Sequence, residues 1–167
     1  PDDINALFVE RMIANGMRRM LAFDGLHDLS NILGAVHTAK RHGVYVTVWL
    51  IYTLAPGYTD EYYARKAKEI LDEIDPDAIV IEDPSGLLTP DRVRTLVPAV
   101  RKVIGSKTLE FHTHCLTGLG PLVTLEAAEA GADVVTTSIA PLADGNAPPA
   151  TQTVVRNLQS MGLSCDV

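Results

Sequence analysis

The chain has 167 residues, 47% of them hydrophobic and 5% aromatic, with a formal net charge of -7. That is enough for one domain with a real core, and the acidic balance without any basic run counts against nucleic acid as a partner. No apolar stretch reaches the ~18 residues of a membrane span, no signal peptide is visible, and two cysteines, Cys115 and Cys165, make no disulfide framework, so a reducing cytoplasm is the expected compartment. The chain opens at Pro1 without Met, directly into a helix-like run, which suggests a trimmed or excised piece.

In chain order, Ile4, Leu7, Phe8 and Met12 follow helical spacing. After Asn15-Gly16, residues 18–23 read as a strand tipped by Asp24. His27 lies on the following loop, within reach of the strand's end, while Asp28 and Ser30 are expected to cap rather than to act in catalysis. His37 and His42 fall on or after a helix, at the surface. His42-Gly43 introduces a second strand, residues 44–51, tipped by Tyr52-Thr53. Thr59-Asp60-Glu61 opens a helix with Tyr63, Ala67, Ile70 and Leu71 at helical spacing. Asp75-Pro76-Asp77 precedes a third strand, residues 78–81, tipped by Glu82-Asp83. Thr89 is the N-cap of the next helix and Pro90 its first residue, with Leu96, Val97, Val100 and Val103 on its inner face. Gly105 introduces a fourth strand from Thr108 to His112, and residues 122–130 form a helix. Gly131 then precedes a fifth strand, residues 133–135, ending at Thr136-Thr137-Ser138. Residues 141–149 form an irregular loop, either a cover over substrate or an exposed connection.

This β-α phrase, given five times, predicts a parallel sheet with right-handed crossovers. Two architectures fit: an open doubly wound sheet, or part of an eight-stranded (β/α) barrel, which needs about 250 residues. Spacing alone leans slightly to the open sheet. No G-x-G-x-x-G follows a strand, so a dinucleotide fold has no support.

The most informative motif is His112-Thr113-His114 at a strand end. Side chains two apart on a strand share a face, so both imidazoles can approach one cation. The competing account is an incidental pair, or core histidines bonded to backbone. Two ligands do not complete a site. Cys115 is a candidate third, although on a continued strand it faces away. If the fold is a barrel, Asp24, Thr53, Glu82, His112, His114 and Thr137 all look into one mouth. Two imidazoles plus a carboxylate suit a divalent ion with positions left for substrate. Glu82 and Asp83 face opposite ways, and Glu82 is the favoured ligand; the alternative is that both bond the following loop. Asp24 is either a mouth carboxylate or a helix cap.

These motifs resemble a known family. Asn15-Gly16 with Phe23-Asp24-Gly25-Leu26-His27-Asp28 and Asn31 is similar to the N-G…F-D-x-L-N-D…N segment of the carboxyltransferase barrels of pyruvate carboxylase, oxaloacetate decarboxylase alpha subunit and transcarboxylase. Ile51-Tyr52-Thr53 resembles their C/S-Y-T strand end, and residues 81–90 their I-K-D-M-A-G-L-L-x-P. Residues 112–118 resemble H-x-H-D/C-T-S-G, and residues 130–135 A-G-A-D-V-V-D. The wider superfamily includes hydroxymethylglutaryl-CoA lyase and isopropylmalate synthase.

The resemblance implies a partial (β/α)8 TIM barrel: one domain, residues 1–167, equivalent to strands four to eight, with the first three strands absent. It implies an enzyme that works on a 2-oxo acid of the pyruvate or oxaloacetate type through a metal-stabilised enolate. Zinc, manganese, cobalt or magnesium would be held by His112, His114 and Glu82, with Asp24 and Thr53 shaping the mouth and Thr117 positioning loop or substrate. It also implies a homo-oligomer, a candidate biotin carrier domain, and either a truncated chain or a further chain that completes the barrel. Two departures weigh against biotin: Glu82 stands where the family has its metal-binding lysine, and Asn146 where it has a proton-shuttling threonine. They favour the alternative of a metal-dependent aldolase or lyase without biotin. A third expectation, from the absent strands, is a non-catalytic piece with an idle metal pair.

Overall fold

The computed structural model describes residues 2–166. Its elements run α1 (Asp2–Ala14), β1 (Arg19–Ala22), a 3-10 turn at Leu29–Asn31, α2 (Leu33–Arg41), β2 (Tyr45–Ile51), α3 (Asp60–Glu73) and β3 (Ala78–Asp83). Then follow α4 (Pro90–Ile104), β4 (Thr108–Thr113), α5 (Gly120–Glu129), β5 (Val134–Val135) and α6 (Thr151–Ser160). The expected caps are made. Thr59 and Thr89 accept the amides of Tyr62 and Arg92 through their side chains, and Pro90 sits in the first turn of α4. The expected helix at residues 122–130 starts two residues earlier, and α6 adds a helix after the last strand.

All strand pairs are parallel, and the sheet order is β1-β2-β3-β4-β5. This decides between the two architectures. A doubly wound sheet reverses its order at a switch point and carries helices on both faces. Here the order never reverses. One face of the sheet, with Ala22, Val46, Val48, Leu50, Ile79, Ile81, Leu109 and Phe111, shares a core with helix residues such as Val36, Ala67, Val97 and Ala127. The opposite face exposes Leu21, Phe23, Tyr45 and Val134. The arrangement is an arc of a (β/α) barrel, and the open sheet is set aside.

Burial follows position in the arc. Central β3 is buried along its whole length, whereas β1 and β5 have exposed residues. The expectation of strands buried on both faces therefore holds at the centre and fails at the edges. In α1, Ile4, Leu7, Phe8 and Met12 are exposed, while Val9 is buried and Ile13 packs on the core.

The amino-terminal ends of the strands are pinned by a repeated device. Asp77 donates its N–H to Val46 O at 2.9 Å and takes the Val46 N–H on its carboxylate at 2.7 Å. Asp133 does the same for Leu109, at 2.8 Å in both directions. Each carboxylate completes the ladder where the neighbouring strand has not yet begun. On the concave face, Arg19 forms an ion pair with the largely buried Glu110 at 2.5 Å, three strands away.

Candidate metal centre

The parallel register places Glu82 directly beside His112, and Asp83 beside Thr113. Because side chains alternate along a strand, Glu82, His112 and His114 emerge on the concave face, and Asp83 and Thr113 on the other. The result is a compact trio. Glu82, His112 and His114 each offer a ligand atom within 4.8 Å of the others'. The two imidazole rings are 5.2 Å apart, centre to centre. Cys115 is outside this trio, with its sulfur packed against Gly120.

The electrostatics of the trio are those of a site built for a cation. Glu82 is 8% exposed and its Oε2 has no hydrogen-bond partner among the described residues; neither has His114 Nδ1. Buried polar atoms are rarely left unsatisfied, and an ion is one reason for leaving them so. Burial, with Asp83 adding repulsion, pushes the Glu82 carboxyl up to about 7. Burial and the neighbouring His114 lower His112 to about 4, so its ring is neutral and ready to ligate near neutral pH. The Trp49 ring lies 5.0 Å from His112 and itself stacks on Phe23 at 6.4 Å, giving the centre an aromatic wall.

Asp83 holds the loop beneath. It accepts the amides of Leu87 at 2.9 Å and Leu88 at 2.8 Å, and Thr113 Oγ lies 3.3 Å away. That loop passes against the His114 backbone at Gly86, where φ is 63°. A Cβ there would stand 2.6 Å from His114 O and 3.2 Å from Leu116 N. Only glycine fits. Gly86→Ala is expected to cost about 2–4 kcal/mol in chemical denaturation and to weaken metal binding by moving His114; wild-type stability would refute the tight approach.

Most of the other expected site residues have partners of their own. Asp24 is exposed and accepts the amides of Leu26 at 2.8 Å and Asp28 at 3.0 Å and the Asn31 side chain at 2.9 Å, so its carboxylate shapes the loop after β1. Those bonds hold it below the usual carboxylate range. Asp28 caps the 3-10 turn through the Ser30 amide. Thr53 takes its place through its amide, which donates to Tyr63 Oη at 2.7 Å. The Thr117 hydroxyl donates to Gly86 O, joining the loops after β3 and β4. Thr137 Oγ lies 3.0 Å from Thr151 Oγ, at the start of α6. Asn146 is exposed on the loop after β5; that loop reaches back, with Gly145 and Ala147 carbonyls accepting the Cys115 amide. His37 and His42 are on the surface, as expected. His27 is not: it is 3% exposed.

Fold and site together define a (β/α)-barrel arc with a candidate metal centre at the carboxyl ends of its strands. A family profile described as HMGL-like matches residues 28–167, and the chain belongs to that family. It is 39% identical over 155 residues to a pyruvate carboxylase component from Methanocaldococcus jannaschii, covering 93% of this chain and 27% of that protein. To the methylmalonyl-CoA carboxyltransferase 5S subunit of Propionibacterium freudenreichii subsp. shermanii it is 30% identical, covering 99% of this chain and 33% of the other. Among solved structures, the carboxyl transferase domain of Rhizobium etli pyruvate carboxylase with pyruvate and biocytin superposes with a TM-score of 0.89 at 26% identity, covering 98% of this chain and 29% of that one. The chain thus spans about a quarter to a third of the length of these relatives.

Proposed function

We propose that this chain is the metal-holding part of a carboxyltransferase-type barrel that transfers or releases carbon dioxide at a 2-oxo acid of the pyruvate or oxaloacetate type. The single observation that carries the proposal is the Glu82–His112–His114 trio, with two buried donor atoms left without partners at the strand ends. Its relatives are named for carboxyl transfer. Zinc, manganese, cobalt and magnesium are all candidates for an N,N,O donor set. When bound, such an ion would polarise the substrate's ketone or carboxylate oxygen and stabilise the enolate.

The chain's own residues prepare this chemistry. His112 presents a neutral ring. Glu82 surrenders a proton and becomes the anionic donor. Trp49 and Phe23 place aromatic surface beside His112 on the concave side. Thr117 fixes two mouth loops against each other, the Asp24 carboxylate shapes a third, and Asn146 offers an amide at the rim.

The five strands are placed as the fourth to eighth of the barrel. The exposed concave residues Leu21, Phe23, Tyr45 and Val134 support further strands beside β1 and β5, on this or another chain. A homo-oligomer and a biotin carrier belong to the same proposal by analogy with the family. No helix among the described residues is long and apolar enough to cross a membrane, and two free thiols suit a reducing cytoplasm.

A second reading, a metal-dependent aldolase or lyase without biotin, is favoured by the carboxylate of Glu82 at the family's lysine position. The test is turnover by metal-loaded protein of oxaloacetate and, separately, of an aldol substrate. Oxaloacetate decarboxylation above the rate of the same metal free in solution is expected. Aldol cleavage alone would replace the first reading with the second, and neither activity would overturn both.

A further inference from the structure

Strand β2 outruns its neighbour. Its pairing with β1 ends at Val48, opposite Ala22, yet the strand continues to Ile51. Beyond that point Ile51 has no strand on its β1 side, and its part-buried amide and carbonyl need other partners. Two side chains supply them. The Ile51 N–H donates to His27 Nε2 at 2.8 Å, and Tyr63 Oη lies 3.3 Å from Ile51 O. The same phenol accepts the Thr53 amide at 2.7 Å. Together, an imidazole and a phenol stand in for the missing strand.

The protonation of His27 follows from this geometry. Nε2 accepts a hydrogen bond, so the proton sits on Nδ1, which donates to Tyr62 Oη at 2.9 Å. Burial favours the same neutral ring and lowers its pKa to about 4. His27 adopts φ of 59°, a region that non-glycine residues seldom occupy, at the end of the turn organised by Asp24.

The other side of the strand tip meets the metal trio. Ile51 is the register partner of Glu82, and the Tyr52 N–H donates to Glu82 O at 2.6 Å. The segment 51–53 is therefore held between His27 and Tyr63 on one side and the Glu82 backbone on the other. We infer that His27 is a positioning residue: by replacing the absent strand beside Ile51, it fixes the tip of β2 and so sets where Glu82 presents its carboxylate. No charge on His27 is required, and it does not touch the ion.

The inference rests on the trio being a metal site, and the experiment separates the two. Wild type, His27→Leu and His27→Gln are titrated with Co²⁺, and their melting temperatures and amide exchange are measured alongside. Leucine removes both hydrogen bonds at similar bulk; glutamine restores an acceptor for Ile51. His27→Leu is expected to lose about tenfold or more in Co²⁺ affinity, the usual consequence of removing an outer-shell partner, and to exchange the Tyr52 amide faster. His27→Gln should recover most of both. The inference is overturned if leucine and glutamine lower the melting temperature alike while affinity and Tyr52 protection stay at wild-type values. Should wild type take no Co²⁺, the metal assignment fails, and Tyr52 exchange in the two variants alone decides the positioning role.

Discussion

Glu82→Gln is expected to yield a metal-free protein that is more stable than wild type at pH 8 and that no longer holds a metal. The Glu82 carboxyl stands at about 7 against an ordinary 4.5, chiefly through burial. Folding therefore tightens its grip on a proton. Its contribution to stability is full below 4.5 and falls as pH rises through about 7, leaving a buried, unpartnered charge. The cost in the metal-free chain amounts to as much as about 3 kcal/mol. Glutamine carries no charge at any pH and removes it. His112 runs the other way: held at about 4 against 6.5, it adds stability as pH rises from about 4 to 6.5. The two offset each other in the wild-type profile between about 4.5 and 6.5, but His112 is common to both proteins, so the difference between them isolates Glu82. Urea denaturation of the metal-free proteins at pH 5 and pH 8 measures it. A variant less stable than wild type at pH 8 would show that Glu82 has a favourable partner there. A divalent ion reverses the balance, because it needs the anion; its affinity for wild type should climb up to about pH 7, a step missing from the glutamine variant.

The second large effect is expected from His112→Ala combined with His114→Ala. Two of the three donor groups disappear, and divalent affinity should fall at least about a thousandfold, or about 4 kcal/mol. The chain carries its own reporter. Trp49 is its only tryptophan, and its ring lies 5.0 Å from His112. Paramagnetic Co²⁺ should quench that fluorescence in wild type and leave it unchanged in the double variant. Quenching that persists with wild-type affinity would place the ion elsewhere. Since His112 also packs on Trp49, a modest loss of stability is expected without metal as well, and the gap should widen with metal, which stabilises wild type alone.

Much of this was legible in the sequence, for identifiable reasons. The strands declare themselves as Val- and Ile-rich runs after Gly or Asp-Pro, and helices α3 and α4 through Thr59, Thr89 and Pro90. The trio was legible because it depends only on parity: Glu82, His112 and His114 share a face once β3 and β4 are neighbours in register. Three things were not. Helix α6 buries just Val154 and Leu158 in an otherwise polar run after two prolines, too weak a period to read. The clamping role of Asp77 and Asp133 is invisible because aspartate beside Pro or Gly looks like ordinary turn chemistry. The burial of His27 depends on β1 ending short of β2, a difference of a few residues between strands that periodicity does not resolve. Strand spacing leaned toward an open sheet because five β-α units suit either architecture; the unreversed strand order is a property of pairing that no local pattern encodes.

The paired bonds of Asp77 and Asp133 also bear on how the chain folds. Each links a strand to the one immediately before or after it in sequence, across separations of 31 and 24 residues. Together with an unreversed strand order, this makes the arc a stack in which each unit leans chiefly on its neighbours, in the manner of a repeat protein, with the Arg19–Glu110 pair reaching from β1 across to β4. Cooperativity in such a stack is a sum of nearest-neighbour couplings. Asp77 ties β3 to β2 and Asp133 ties β5 to β4, so unfolding is free to start at β1, which has no such clamp, and travel inward. Glu82, His112 and His114 lie on β3 and at the end of β4, away from the end strands and beyond the first reach of that fraying.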